Sequence, residues 1–298
     1  MNYVYAIVCH KLTNPLIFTV KELLSSTKSK VILHVDRKTP HTELIKIQKA
    51  LGRHPNLHYV SDKDRIDVRW GAVSQIHVML LLLKLAKVYD YYYFSLISGD
   101  DIPLSLNQSR EQYLQSAYES KIEFIGYNSV HDANERLKIN YPAFFHKKDH
   151  SLVGKLARKI FKIYAKYFRT IDISHLPKLY KGSTWFTLTN EAVDYILDYI
   201  ENNPRYLESF KFSLCGDEVF FQTIIFNSKF SSKVYKIRSE ILDCERGGRY
   251  IDWVSGPDYP RTLDATDFER MRASDSLFAR KLDPEISLDI LAEFLYLD

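Results

Sequence analysis

Cysteine is scarce. The 298 residues hold three, Cys9, Cys215 and Cys244. So few, and an odd number, exclude a disulfide scaffold and fit a reducing compartment. Long apolar runs are missing as well. Residues 3–9 and 78–83 both fall far short of the ~20 residues that cross a bilayer, and charges follow the first soon after. No secretory leader is read, and the expectation is a soluble, cytoplasmic protein. Glycine and proline stand at 10 each, which excludes a collagenous or low-complexity chain. Charge of one sign is nearly balanced: a net of +4 is too weak to argue for nucleic acid.

What is present is enough apolar residue, 46%, to bury a sizeable core in one α/β domain. Tyrosine is abundant at 21. Its flat amphipathic ring suits sugar-binding surfaces, and it fills cores equally well. Residues 3–9, 30–36 and 57–60 read as short buried strands rich in β-branched and aromatic residues, separated by helical stretches over 14–25 and 41–51. A β-α-β-α-β order argues for a mostly parallel sheet covered by helices, with ligands beyond the carboxyl ends of its strands. A long apolar helix over 74–88 and a strand over 91–98 follow. Further on, helices are expected over 109–120, 192–201 and 286–296, and strands over 123–127, 185–188 and 233–237. Nothing marks an internal repeat or a linker, so residues 1–298 read as a single domain.

Three stretches carry candidate chemistry. At the end of the fourth strand, Ser98-Gly99-Asp100-Asp101 is either a plain Asx turn or a place to hold a hydroxylated ligand or cation. Asp217-Glu218 opens an apolar helix. Glu218 shares a helical face with Phe221, Gln222 and Ile225, which points it toward the interior and raises its basicity. Acids also favour the positive end of a helix, and that reading stays open. Finally, residues 136–181 are rich in Lys and Arg with two acids, Asp149 and Asp172. Within them, 152–169 forms a basic amphipathic helix. Its apolar stripe runs through Leu152, Leu156, Ile160, Ile163 and Tyr167, with Lys155, Arg158, Lys162, Lys166 and Arg169 to the side. Such a helix lies on an anionic membrane surface or packs on the core as a solvated element.

Seven pieces occur in one order: His34-Val-Asp36-x-Lys38; Trp70-Gly71 with Ser74-Gln75; Leu96-Ile-Ser-Gly-Asp-Asp-Ile-Pro103; Lys181-Gly-Ser-x-Trp-Phe186; Asp217-Glu218; Arg249-Tyr-Ile-Asp-Trp253; and Phe278-Ala-Arg-Lys281. Together they resemble the core-2/I-branching β-1,6-N-acetylglucosaminyltransferase family, which also contains protein xylosyltransferases. The resemblance implies a GT-A type fold, a Rossmann-like mostly parallel sheet flanked by helices. It implies an inverting transfer of a sugar, N-acetylglucosamine first among the choices, from a UDP-sugar to a hydroxyl of a glycan or glycolipid acceptor.

By the same resemblance Glu218 is the general base. Lys281 and Arg261 meet the diphosphate in place of a divalent metal, and Arg261 is matched only by approximate spacing. Asp36 stands on the uridine side and Ser183 beneath the donor sugar. Asp100, Asp101, Trp185, Asp217, Tyr250 and Trp253 lie near donor or acceptor sugar, with Asp217 orienting its helix. No metal and no cofactor beyond the UDP-sugar are expected. The chain lacks the anchor, stem and disulfides of animal relatives, which implies a bacterial cytoplasmic member acting in surface polysaccharide synthesis. It is peripheral on the inner membrane face if 152–169 touches lipid. The basic segment 136–181 reads as an acceptor-side insertion. A UDP-xylose-type transferase and a non-catalytic nucleotide-sugar or carbohydrate-binding protein remain the alternatives.

Overall fold

A computed structural model describes residues 1–128, 132–146, 151–168, 170–256 and 259–296. The side chains of 152, 155, 162, 166 and 168 also lie outside that description, so the faces read for Leu152, Lys155, Lys162, Lys166 and Arg169 fall outside the described residues. In chain order the elements are β1 (Asn2–Cys9), α1 (Asn14–Leu24), β2 (Ser29–Val35), α2 (His41–Leu51), β3 (Leu57–Tyr59), α3 (Ser74–Ala86), β4 (Tyr91–Ser98), β5 (Ile102–Pro103), α4 (Asn107–Glu119), α5 (Leu152–Phe168), β6 (Thr187–Thr189), α6 (Asn190–Asn202), α7 (Pro204–Glu208), α8 (Asp217–Phe226), α9 (Asp243–Arg246), β7 (Arg249–Ile251), α10 (Phe268–Arg272), β8 (Phe278–Arg280) and α11 (Leu288–Tyr296).

The main sheet has the order β3-β2-β1-β4-β6, parallel except for β6, which runs antiparallel to β4. The Rossmann-like, mainly parallel sheet expected from the resemblance is therefore present, and helices cover it. β1 and β2 are nearly continuous runs of buried Val, Ile, Leu and Tyr because helices close both faces. On one face α3, α6 and α8 pack through Leu82, Ile196 and Phe220; on the other α1, α2 and α4 pack through Leu23, Ile47 and Leu114. Sharp starts help. Thr13 caps α1, its hydroxyl accepting from Leu16 N, and Pro15 sits in the first turn; Thr189 caps α6 through Ala192 N.

A second sheet, β5-β8-β7, joins the carboxyl ends of these strands. It ties the chain after β4 to the segments around 250 and 280. Arg249 stitches the two sheets. Its buried guanidinium donates to the carbonyls of Leu96 and Phe186 at 3.0 Å each, and to those of Gly247 and Gly248.

Two expected strands are not strands. Residues 123–127 and 233–237 meet at one isolated bridge, Glu123 with Val234, and Phe124 bridges separately to Thr187 of β6. Glu123 explains the break. Its carboxylate turns inward and accepts from Thr189 N at 2.9 Å and Thr189 Oγ1 at 2.6 Å, so the segment serves as a brace at the start of α6.

Candidate active site

The parallel strands end on one side of the sheet. The order places β2 on one flank of β1 and β4 on the other, so a crevice opens where the winding reverses. A cavity of about 940 Å³ fills it. Cys9 at the end of β1 and His10 after it, Asp36 and Lys38 after β2, and Trp70 before α3 with Gln75 in its first turn form its walls, with Ala143 and His146 also lining it. Asp36 is buried. It accepts from Lys38 N at 2.8 Å, and the Lys38 ammonium stands 3.6 Å from its other oxygen and 3.2 Å from Asp67. Burial, with the charges of Asp100 and Asp36, pushes the Cys9 thiol up to about 12, so it is no nucleophile here.

Beside the cleft, the turn after β4 holds Asp100 and Asp101. Asp101 is fully buried. It accepts from Ser98 N at 3.0 Å and from Arg280 Nη1 at 2.7 Å. The Arg280 guanidinium lies 4.1 Å from the Trp185 ring centroid, in cation–π contact. Asp100 faces Lys281, 3.8 Å away, whose side chain is 42% exposed. Both acids therefore already have cationic partners, and these partners come from β8 and the residue after it. Gly99 permits the approach, because a Cβ there would lie 2.8 Å from that of Cys9.

Across the Lys181–Trp185 loop stands the carboxylate pair of α8. Here the structure differs from the reading of the sequence. Glu218 is not the buried member: it is part-exposed and flanked by Arg136 at 3.1 Å and Lys181 at 3.2 Å. Asp217 is the buried one. It accepts from Thr184 Oγ1 at 2.7 Å, and its other oxygen has no partner. Burial, then the neighbouring Glu218 charge, pushes the Asp217 carboxyl well above the usual carboxylate range. The physical reason is that α8 is buried on nearly every side, Val219 through Phe226, so sharing a face with apolar residues selects nothing. What selects is the first turn, where the helix emerges and meets two cations.

The loop beneath α8 is fixed by close backbone approach. Gly182 N donates to Glu218 O at 2.8 Å, the Ser183 carbonyl accepts from Gln222 at 2.6 Å, and a Cβ on Gly182 would lie 2.0 Å from Gly126 O. Two residues before α8, Cys215 donates its N–H to the Gly71 carbonyl at 2.7 Å, which joins this carboxylate pair to the Trp70 wall of the cleft.

Arg261 is placed apart. Its guanidinium holds Asp267 at 2.6 Å and lies 3.7 Å from Asp252 and 3.9 Å from Asp264. Its backbone does run toward Lys281, since Leu263 N donates to Lys281 O at 2.7 Å. Tyr250 pairs in register with Ala279, and Trp253, 46% exposed, follows β7. Asp252 works against its burial through hydrogen bonds from Ser255 and Val254 and the charge of Arg270, which hold it at about 2.

The structure thus joins Asp100, Asp101, Trp185 and Lys281 in one cluster, and Asp217, Glu218 and the Ser183 loop in a second beside it. Asp36 stands in the cleft, and Arg261 belongs to a third group of its own. Among the described residues no three His, Cys, Asp or Glu gather as a metal site.

A family model described as "Core-2/I-Branching enzyme" matches residues 3–274. The chain belongs to the core-2/I-branching enzyme family. That family is one of glycosyltransferases, which use a nucleotide-sugar donor and a glycan acceptor. No curated protein matches the chain. Among solved structures it is similar to the apo crystal structure of mouse xyloside xylosyltransferase 1, at 11% identity and a TM-score of 0.38, covering 93% of this chain and 97% of that one.

The family match takes in Asp36, Asp100, Asp101, Ser183, Trp185, Asp217, Glu218, Tyr250, Trp253 and Arg261, and ends before Lys281. For this core-2/I-branching chain, four site neighbours were not singled out from sequence: Arg136, Lys181, Arg280 and Thr184. Lys181, Thr184 and Arg280 lie inside motifs quoted above, and a cation beside an acid pair was the signal available. Arg136 had none, because it reaches Glu218 across 82 residues. An Asp-x-Asp spacing also occurs, Asp62-Lys63-Asp64, after β3. Both acids are exposed, with Asp62 on Arg65 at 2.9 Å and Asp64 accepting from Ser61.

Proposed function

We propose that this chain moves N-acetylglucosamine, with inversion, from UDP-N-acetylglucosamine to a hydroxyl of a glycan or glycolipid acceptor in bacterial surface polysaccharide synthesis. One observation carries the reading. Glu218 presents a part-exposed carboxylate at the start of a buried helix, which the Cys215–Gly71 hydrogen bond joins to the Trp70 wall of the cavity at the sheet's switch point. The UDP-sugar lies in that cavity with its uridine toward Asp36. Glu218 takes the proton of the acceptor hydroxyl as that oxygen bonds to the anomeric carbon. The bond from the anomeric carbon to the β-phosphate oxygen breaks, and UDP leaves with the electron pair. Arg136 and Lys181 hold the base in place. Lys281, lightly engaged by Asp100, meets the growing charge on the diphosphate, and no divalent metal is needed.

The test is UDP release from a panel of UDP-sugars, with and without EDTA, by wild type and Glu218→Gln. We expect turnover with UDP-N-acetylglucosamine that EDTA leaves intact. In Glu218→Gln we expect a loss of about a hundredfold or more with donor binding retained. Turnover confined to UDP-xylose replaces the donor. A requirement for manganese removes the lysine mechanism, and full activity in Glu218→Gln removes the base.

A further inference from the structure

α5 turns a long apolar stripe away from the protein. The helix is held to the body by the side that carries Phe161 and Ala165. Ala165 is fully buried, and the Phe161 ring packs on Phe144 and Phe145 with centroids 5.8 and 5.0 Å away. About a third of the circumference away, Val153, Leu156, Ile160, Ile163, Tyr164 and Tyr167 recur at spacings of three and four. They form one continuous stripe, and each is between 50% and 78% exposed. Single exposed apolar residues need no explanation, but six in one row mark a surface that is covered in use.

The charge of the segment is of one sign: in sequence, residues 150–171 carry Lys155, Arg158, Lys159, Lys162, Lys166 and Arg169 and no acid. A second copy of this helix would bring only more cations and no carboxylate to meet them. An anionic lipid surface supplies both partners, an apolar boundary for the stripe and phosphates for the ammonium groups.

We propose that α5 docks this enzyme on an anionic bilayer surface, and that the acceptor is carried on a lipid in that surface. The second half rests on the glycosyltransferase reading. The geometry couples the two. The segment bearing α5 is tied to the candidate base at both ends, through Arg136 and Lys181 on Glu218. The turn Ala143–His146, on which α5 packs through Phe144 and Phe145, also lines the donor cleft through Ala143 and His146. A bilayer against α5 is therefore joined to the site through that turn and through both ends of the segment.

Co-sedimentation of the full chain with vesicles tests the docking. Vesicles of phosphatidylcholine with phosphatidylglycerol should bind it, less so as salt rises, and vesicles of phosphatidylcholine alone should not. Ile160→Glu and Leu156→Glu, at exposed positions, should keep the wild-type circular dichroism and melting temperature and lose binding by about tenfold or more. Ile160→Glu should still transfer to a water-soluble acceptor at the wild-type rate. Equal binding to both vesicle types, or none, overturns the proposal. So does a wild-type dimer in light scattering that Ile160→Glu makes monomeric, because a second copy would then cover the stripe. Vesicle binding by a protein that turns over no UDP-sugar upholds the docking and overturns the transferase reading instead.

Discussion

The family resemblance sets Lys281 and Arg261 on one diphosphate, yet their surroundings differ. Lys281 is 42% exposed and loosely held by Asp100, whereas Arg261 is 22% exposed and engages a fully buried Asp267. Lys281→Ala should lower kcat/KM for UDP-sugar by about a hundredfold with little change in stability. Arg261→Ala should show in urea denaturation first, by about 2 kcal/mol, because it strips a cation from a buried carboxylate. Parallel UDP-release kinetics and denaturation midpoints for the two variants separate the roles.

Glu123 makes a second prediction at this scale. Burial outweighs its hydrogen bonds from Thr189 and raises its carboxyl from 4.5 to about 7. The folded chain then holds a proton that the unfolded chain has released, so the contribution of Glu123 is full below 4.5 and is lost as pH rises to about 7. Glu123→Gln should remove about 3 kcal/mol of that pH dependence. Urea melts at about pH 5 and about pH 8 read it directly, and equal slopes for variant and wild type would sink the assignment.

At the scale of elements, the loop under α8 decides where Lys181 and Ser183 stand. Its fit is set by three backbones in contact: a Cβ on Gly182 would meet Gly126 O at 2.0 Å, and one on Gly126 would meet Asp243 O at 1.9 Å. Gly182→Ala should cost at least about 2 kcal/mol and cut transfer activity with it, since the loop cannot yield without moving both neighbours. A thermal melt and an activity assay on the same preparation check this. The helices α1, α2, α3 and α6 were legible from the pattern of apolar residues. The short strands β5, β7 and β8 were not, because two or three residues carry no period. α8 and α5 show the limit of pattern from opposite directions. α8 is buried all round, so its face could not say which acid points inward. α5 has a clean stripe, and the stripe faces out.

For the molecule as a whole, the join between the two sheets rests on Arg249. It is fully buried, and burial lowers its guanidinium from its usual range to about 10. Arg249→Met should destabilise by about 2 kcal/mol or more, because it leaves carbonyls of Leu96, Phe186 and Gly247 short of a donor. It should also loosen the Asp101–Arg280 contact, seen as a raised KM for the donor. Denaturation and steady-state kinetics test the two parts separately.

The sequence by itself determined the parallel sheet, its crevice at the strand ends, and the ordered motifs that place the chain in its family, since these depend on local periodicity and spacing. Tertiary structure alone decided which carboxylate of Asp217 and Glu218 is buried, which cations flank the other, and which side of α5 meets water. Those outcomes depend on contacts between residues far apart in the chain, such as Arg136 on Glu218 and Arg280 on Asp101, and no spacing along the chain encodes them.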